Sequence, residues 1–331
     1  MTERSPQRIL GESPALSDLL DRVSQVAALN RPVLVIGERG TGKELIAERL
    51  HFLSQRWQQP FLKINCGSIS ESLLDADLFG YEPGAFTGAT RLHKGRFERA
   101  HEGTLFLDEV GNMSQALQEK LLRLIEYGEF ERLGGQQTLT VDVRIIAATN
   151  ENLPEMAAEN RFRADLLDRL AFDVLTLPPL RHRHDDITLL ADQFGIQMSS
   201  ELGWEVFPGF TDRALEKLSS HPFYGNVREL KNAIERSVYR WGNELEPIDD
   251  LVLDPFHSPW QPTPETGFSA NPSEGFSEQV NRYEVALLEG ALDANGHHQG
   301  RAAEALGLSY HQFRSQLRKH GLIEKKPKAS I

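Results

Sequence analysis

The sequence predicts an α/β fold, a parallel sheet covered on both faces and followed by an all-helical segment. Three observations predict it. Apolar runs alternate with helical patterns through the first 177 residues. One of those runs feeds a glycine-rich turn that opens a helix. From about Pro178 onward, apolar residues recur only at helical spacing. Strands that alternate with helices pair in parallel, because each helical crossover returns the chain to the same sheet edge.

The apolar runs fall at 32–36, 61–66, 104–107, 143–148 and 172–177, so five strands are expected. Between them, Leu16, Leu19, Leu20, Val23 and Val26 lie at helical spacing within 9–29, with Ser13-Pro14 as the start signal. Gln115 to Glu126 is a second helical pattern. The α/β part is assigned to 8–177. Helices over 187–202, 212–219 and 226–241 are assigned to a small helical subdomain at 178–254. Residues 255–277 hold five prolines with Gly and Ser and no periodicity, the composition of a flexible linker. Three helical patterns follow at 278–294, 299–306 and 309–320, within a C-terminal module at 278–323.

Composition narrows the class. At 331 residues and 40% hydrophobic content the chain has room for two or three globular domains. It has no 18-residue apolar run, so no membrane insertion is expected, and Met1 to Pro6 has no apolar signal core. One cysteine, Cys66, excludes an internal disulfide and suits a reducing cytoplasm. Residues 281–331 hold 8 Lys/Arg against 5 Asp/Glu, a net of +3, within a chain whose formal net charge is -12; the remaining 280 residues therefore carry -15. A basic module attached to an acidic body is the implied arrangement.

The glycine-rich turn is Gly37-Glu38-Arg39-Gly40-Thr41-Gly42-Lys43-Glu44. A strand, this turn and a helix form the phosphate-loop context. The turn's backbone N–H groups converge on one concavity, the helix N-terminus adds partial positive charge, and Lys43 reaches the outer phosphates. The Ser or Thr that usually follows the lysine is Glu44 here, so the hydroxyl that touches Mg²⁺ is missing. The metal must then rely on phosphate oxygens, waters and an acidic residue elsewhere. Leu105-Phe106-Leu107 ends in Asp108-Glu109. Asp108 is placed to orient Mg²⁺ and its waters, and Glu109 to accept a proton from an attacking water. Thr149 and Asn150 end another strand, and Asn65 lies near the end of the second. All strand C-termini of a parallel sheet open on the same crevice, within reach of a γ-phosphate. Arg163 and Arg169 lie in a charged helical stretch, where local Arg–Asp pairing on a solvated face competes with a role toward a neighbouring subunit.

Two further stretches stand out. Gly84-Ala85-Phe86-Thr87-Gly88-Ala89 is a poor core element but a plausible loop tip, with small residues around one exposed aromatic. Near the C-terminus, Gly300 to Ser309 reads as helix, glycine turn and helix cap. In the helix that follows, Tyr310, Phe313 and Leu317 take core spacing, and His311, Arg314, Arg318 and Lys319 other positions. That is the pattern of a helix-turn-helix with a basic second helix, and Lys325, Lys326 and Lys328 add cationic charge behind it. A three-helix protein-interaction bundle is the competing reading. Arg181-His182-Arg183-His184-Asp185-Asp186 reads as a charged loop and helix start rather than a metal site, and His297-His298 likewise. Cys66 reads as a buried strand-end residue. Trp57, after a helix, is either a docking spot for a regulator or core.

Taken together, Gly37–Glu44, Asp108-Glu109 and above all Gly84–Ala89 resemble the bacterial enhancer-binding proteins, AAA+ ATPases that activate RNA polymerase carrying sigma-54. The resemblance spans about residues 8–254 and, separately, the C-terminal module, which is similar to Fis-type helix-turn-helix domains. It implies ATP and Mg²⁺ as ligands, with the loop 37–44 binding ATP and Asp108 and Glu109 as Walker B. It implies Asn65 as the asparagine that couples Glu109 to the nucleotide, Thr149-Asn150 as sensor I and Arg228 as sensor II. Arg163 and Arg169 become arginine fingers reaching the ATP of the adjacent subunit, hence a hexameric ring. Residues 84–89 become the sigma-54 contact. Arg301, Ser309, Tyr310, His311, Arg314, Arg318 and Lys319 become contacts to upstream enhancer-like DNA. Within the family the chain is similar to activators of phage-shock, membrane-stress genes. No receiver or sensor domain is evident before the α/β part, which implies control by a trans-acting negative regulator of the PspA type. Two departures from the family pattern, Phe223-Tyr224 before Gly225-Asn226 and Glu102-Gly103 before the Walker B strand, imply altered packing rather than lost chemistry. The rival readings are a DNA-binding regulator with a vestigial ATPase and an AAA+ remodeller of another target.

Overall fold

The computed structural model describes residues 9–256, 275–296 and 298–322. In chain order, α1 (Pro14–Ala27), β1 (Val33–Ile36), α2 (Lys43–Phe52), β2 (Phe61–Asn65) and α3 (Glu71–Phe79) open the structure. The short strands β3 (Gly80–Tyr81) and β4 (His93–Lys94), α4 (Arg96–Arg99), β5 (Thr104–Asp108) and α5 (Gln115–Tyr127) follow. Next come β6 (Glu129–Glu131), β7 (Thr138–Thr140), β8 (Arg144–Thr149), α6 (Leu153–Ala158), α7 (Ala164–Leu170) and β9 (Asp173–Thr176). Three longer helices, α8 (His184–Glu201), α9 (Asp212–Ser220) and α10 (Asn226–Trp241), complete the first of two compact units, Met1–Pro255.

The five expected strands form one parallel sheet in the order β2-β5-β8-β1-β9. Alternate residues of each strand feed opposite faces. Leu34, Ile64, Leu105, Leu107, Ile145 and Ala147 join α3, α5 and α7 in one buried cluster. Val33, Val35, Phe106, Ile146, Ala148 and Leu175 join α1 and α2 in the other. On the inner strands β1, β5 and β8 both faces are dry, which is why these read as continuous apolar runs rather than alternating ones.

Helix ends follow local chemistry. Ser114 caps α5 by accepting the Leu117 N–H at 3.4 Å, and Gly128 closes it with φ 70°. The helix expected over 9–29 is shorter: Ile9 to Ser13 is not helical, because the Glu12 and Ser13 N–H groups donate to the buried Asp186 carboxylate at 2.6 and 2.8 Å instead. Asp186 also binds the Ser13 hydroxyl at 2.7 Å and Arg183 at 2.7 Å, so the chain start is stitched to α8. Leu180, Ile187, Leu190, Leu218, Phe223, Leu230, Ile234 and Val238 form the core of α8, α9 and α10.

The second unit, Phe256–Ile331, contains α11 (Phe276–Ala294), α12 (Gln299–Ala305) and α13 (Tyr310–Lys319) among the described residues. Leu288, Ala291, Ala302, Ala303, Phe313 and Leu317 make its core. A capping box between Ser309 and Gln312 starts α13. The linker expected at 255–277 lies mostly outside the described residues, as do His297, Lys325, Lys326 and Lys328. Among the described residues no helix is long and apolar enough to cross a membrane.

Candidate functional site

The site is built where β1, β5 and β8 end. β1 runs into the loop 37–42, whose Gly42 opens α2 at Lys43. Lys43 Nζ donates to the carbonyls of Gly37 at 2.7 Å and Glu38 at 3.1 Å, so its ammonium is held over the loop. Thr41 closes the turn through its hydroxyl on Glu38 O at 2.8 Å. Gly40 must be glycine: a Cβ there would lie 2.2 Å from the carbonyl oxygen of Gly225, and its φ is +78°. The phosphate loop therefore touches the chain just before α10.

Asp108 is the last residue of β5, and its carboxylate accepts the Glu109 N–H at 3.0 Å. Burial pushes the Asp108 carboxyl up, and the Lys43 charge works against that rise. Burial likewise pushes the Lys43 ammonium down, opposed by Asp108 and Glu109. A partly desolvated cation and a partly desolvated carboxylate thus face one crevice, where each interacts strongly with an anionic ligand or its metal.

Glu109 has φ +55°, a left-handed turn uncommon for a glutamate. The turn swings its carboxylate over Gly67, where a Cβ would sit 2.3 Å from Glu109 Oε2. Asn112 donates to that same oxygen at 3.3 Å. Asn65 also reaches Gly67, its Oδ1 accepting the Gly67 N–H at 2.9 Å. Asn65 and Glu109 therefore both meet Gly67, Asn65 through the glycine's N–H and Glu109 where a Cβ would stand.

The remaining site residues named from the sequence are placed as follows. Thr149 is fully buried and its hydroxyl accepts the Glu151 N–H at 2.9 Å. Asn150 donates to Glu151 at 3.3 Å and, with Glu38, Arg39, Arg181 and Tyr224, lines a recess of about 440 Å³ behind the loop. Glu44 pairs with Lys63 of β2 at 2.7 Å, and both line the main cleft. Arg228, in the first turn of α10, lines the main cleft together with Gly40–Glu44 and Asp108. That cleft holds about 1450 Å³ and is apolar at Ile9, Leu10, Leu177 and Val227. Its chemistry fits a nucleotide: an apolar end for a base, and a loop of N–H groups with Lys43 for phosphates. The donor set also fits Mg²⁺, with Asp108 the acidic group beside the phosphate loop.

Arg163 and Arg169 lie away from this cleft. Arg163 forms a two-pronged pair with Asp165 at 3.0 and 2.8 Å, and Arg169 pairs with Glu126 at 2.9 Å. Residues 84–89 form the tip of the β3–β4 hairpin. The tip is closed by Gly84 N–H on Ala89 O at 2.7 Å and Ala89 N–H on Phe86 O at 3.0 Å. Phe86 is 47% exposed and meets the Tyr81 ring edge-on at 4.9 Å. At the hairpin's base, Arg132 binds Glu82 and Glu98, each at 2.6 Å. In the second unit Arg301, Ser309, Tyr310, His311 and Arg318 are exposed, while Arg314 is half-buried with a guanidinium nitrogen 3.5 Å from the Tyr310 hydroxyl. Lys319 is engaged by Glu284 of α11 at 2.6 Å.

Three residues given no site role from the sequence also bear on this region. Asn226, fully buried at φ +54°, donates to Glu38 Oε2 and Arg39 O, each at 3.0 Å, and accepts the Leu180 N–H at 2.8 Å. Arg181 grips both Glu38 oxygens at 2.8 and 2.5 Å. Those bonds, Arg181 first, hold the Glu38 carboxyl at about 2. Gln118 is a fully buried polar side chain near the start of α5.

The family model of the sigma-54 interaction domain matches residues 9–176, and that of the AAA+ ATPase lid domain matches residues 181–255. The Psp operon transcriptional activator of Escherichia coli is 53% identical over 94% of this chain and 97% of its own length. The chain belongs to the sigma-54-dependent transcriptional activators.

The regulatory protein AtoC of Escherichia coli is 42% identical, covering 95% of this chain and 68% of its own length. Solved structures of NtrX from Brucella abortus in complex with ADP and with ATP both align with a TM-score of 0.69 at 31% identity. Each alignment covers 95% of this chain, and 69% and 70% of the respective NtrX chains. The family is one of AAA+ ATPases, which bind ATP, so the five-stranded sheet and α8–α10 are its P-loop fold and helical lid. Sigma-54 is the partner that membership assigns. The two departures from the family pattern are placed as follows. Glu102 turns left-handed at φ +61° with its N–H on Asp142 O at 2.7 Å, and Phe223 is fully buried while Tyr224 stands exposed.

Proposed function

We propose that this activator hydrolyses ATP in the cleft between the phosphate loop and the lid, and that hydrolysis remodels the sigma-54 polymerase closed complex into an open one. The observation that carries this reading is Lys43, Asp108 and Glu109 gathered where β1 and β5 end, on either side of β8 and beside Arg228, with Phe86 and Thr87 of the loop 84–89 exposed. Lys43 and the loop N–H groups hold the β- and γ-phosphates. Mg²⁺, when bound beside Asp108, supplies charge neutralisation across those phosphates. Glu109 takes the proton of the attacking water, and Asn65, which also meets Gly67, is the group that aligns it. Thr149 fixes the turn that carries Asn150 toward the phosphate side. Arg228 reads nucleotide state from the lid.

Arg163 and Arg169 then reach the ATP of an adjacent subunit in a hexameric ring, leaving Asp165 and Glu126 to do so. An arginine supplied in trans is worth about 10³–10⁵ in rate. Gly84, Ala85, Phe86, Thr87, Gly88 and Ala89 contact sigma-54. α12 and α13 act as a Fis-type helix-turn-helix in which Arg301, Ser309, Tyr310, His311, Arg314, Arg318 and Lys319 face upstream enhancer-like DNA. The α/β part (8–177), lid (178–254), linker (255–277) and DNA-binding module (278–323) divide this labour. The likeness to the Psp operon activator supports phage-shock genes as targets, a negative regulator of the PspA type acting in trans, and a cytoplasmic location.

The test is open-complex formation on a sigma-54 promoter with ATP. Wild type is expected to form it, and Glu109→Ala to bind ATP without turnover and without opening. Opening by Glu109→Ala at the wild-type rate would refute the mechanism.

A further inference from the structure

We propose that Gln118 is the positioning residue for Arg163, and that its carboxamide ties this arginine to the strand end that carries Glu109. The side chain is fully buried within an otherwise apolar stripe of α5, with Leu117, Leu121 and Leu124. A buried carboxamide is retained only where its hydrogen-bonding capacity is met. Its nitrogen donates to Met113 O at 2.8 Å and to Arg161 O at 3.2 Å, and its oxygen accepts the Arg163 N–H at 2.8 Å. Both amide protons and the oxygen are thus used. The reversed amide would set its oxygen against two carbonyls and its NH₂ against an N–H, so the orientation is fixed by the partners.

Those partners belong to two different functional segments. Met113 follows the single helical turn Val110–Asn112, which starts at Glu109 and whose Asn112 holds the Glu109 carboxylate. Arg161 and Arg163 flank Phe162, which is buried in the same cluster as Leu117 and Leu121. The Arg161 and Phe162 N–H groups both end on Met156 O, at 2.8 and 3.1 Å. The backbone of 161–163 is therefore clamped from both sides, by Met156 and by Gln118. The Arg163 guanidinium extends beyond the clamp, paired with Asp165 at 2.8 Å and with Glu119 of α5 at 3.9 Å.

Geometry of this kind gives Gln118 two consequences. It sets where the root of Arg163 lies, and it makes movement after Glu109 mechanically continuous with that root. In the ring, Glu109 serves the subunit's own nucleotide and Arg163 serves the next one. Gln118 then lies on a continuous covalent and hydrogen-bonded path between consecutive sites. This inference rests on the reading of Arg163 as acting in trans.

The experiment uses full-length chains and mixed rings. Gln118→Leu keeps the volume and removes all three bonds. It is expected to lower kcat by about 10- to 100-fold, because a displacement near 1 Å in a reacting group costs up to that much, with KM for ATP nearly unchanged. Gln118→Glu keeps the acceptor for Arg163 but turns the donors into acceptors facing two carbonyls. It is expected to behave alike, and it replaces the leucine variant should that fail to fold by thermal unfolding. Each variant is mixed in equal amounts with Glu109→Ala, whose own site is dead but whose arginines are intact. In random head-to-tail rings roughly a quarter of interfaces then pair an intact Glu109 with a correctly held arginine. Turnover is expected to rise on mixing, as in the control mixture of Arg163→Ala with Glu109→Ala. Wild-type kcat in the Gln118 variants, or no rise on mixing while the control rises, would overturn the proposal. A control that does not rise would instead refute the trans reading of Arg163, and this inference with it.

Discussion

Replacing Asn226 by alanine tests how the lid is fastened to the phosphate loop. The side chain satisfies the Leu180 N–H, which is buried, and donates to Glu38 and to the Arg39 carbonyl. Alanine leaves the Leu180 N–H and the Arg39 carbonyl without that partner, at about 1–3 kcal/mol for each that water does not reach, while Glu38 keeps Arg181. It also places a Cβ-bearing residue without a polar side chain at φ +54°, where asparagine is tolerated and alanine costs roughly 1 kcal/mol more. The expected loss is about 2–4 kcal/mol, or roughly 5–15 °C in Tm for a unit of this size. Asn226→Gly removes the bonds but not the left-handed turn, so it should be milder than alanine by about 1 kcal/mol. Asn226→Asp keeps the acceptor for Leu180 but sets a second carboxylate against Glu38, which Arg181 holds ionised down to about pH 2. Its ATP affinity should therefore fall below that of the alanine variant. Thermal unfolding and nucleotide titration on the same preparations give the readout. Wild-type Tm and affinity in Asn226→Ala would show that the clasp does not fasten the lid.

Three further outcomes are expected. Thr87→Ala, at an exposed hairpin tip, should keep ATPase activity and lose transcription activation, measured together in one preparation; retained activation rules out the loop's contact role. Arg144→Met should lower stability by about 2–4 kcal/mol in denaturant unfolding. The buried guanidinium binds the carbonyls of Ala27, Val26 and Arg31 at 2.7, 3.1 and 3.3 Å and so closes the end of α1, whereas specific activity of the folded fraction should not change. His51 is buried against Phe61 and Thr104, and burial first, then the Arg144 charge, holds its imidazole down at about 4. The folded state keeps it neutral while the unfolded chain protonates near 6.5, so its contribution is whole above pH 6.5 and is lost as pH falls toward 4. The loss is on the order of 3 kcal/mol. His51→Gln should flatten that slope in unfolding measured across the window, and an unchanged slope would exclude His51 as its source.

The sheet was legible because its inner strands are dry on both faces, so Val33–Ile36 or Arg144–Thr149 could hardly be read otherwise. The long helices were legible for the complementary reason, since α5 and α10 show one apolar stripe each with glycine at the C-terminus. What was missed shares a cause as well. β3, β4, β6 and β7 are two or three residues long, too short for periodicity, and owe their pairing to tertiary neighbours such as Arg132. Helix α3 was missed because its apolar residues cluster without an amphipathic stripe, Leu74, Ala76, Leu78 and Phe79 all being buried. In the site, Lys43, Asp108 and Glu109 were found by residue type and strand context. Asn226 and Gln118 act through backbone groups distant in sequence, and no spacing encodes that. The one available signal for Gln118 was a polar residue inside the buried stripe of α5.

Cys66 lies one residue past β2, 3% exposed, and burial, with the nearby Asp108 and Glu109 charges, pushes its thiol up to about 12. At neutral pH it offers almost no thiolate and little access, and the thiolate is the form that attacks thiol-directed dyes. The native chain is thus nearly silent toward maleimide labelling without any substitution at 66. A cysteine introduced at Phe86 or Tyr224 would be the reactive one, and fluorophores there would follow hairpin and lid through a turnover cycle on an otherwise unaltered background.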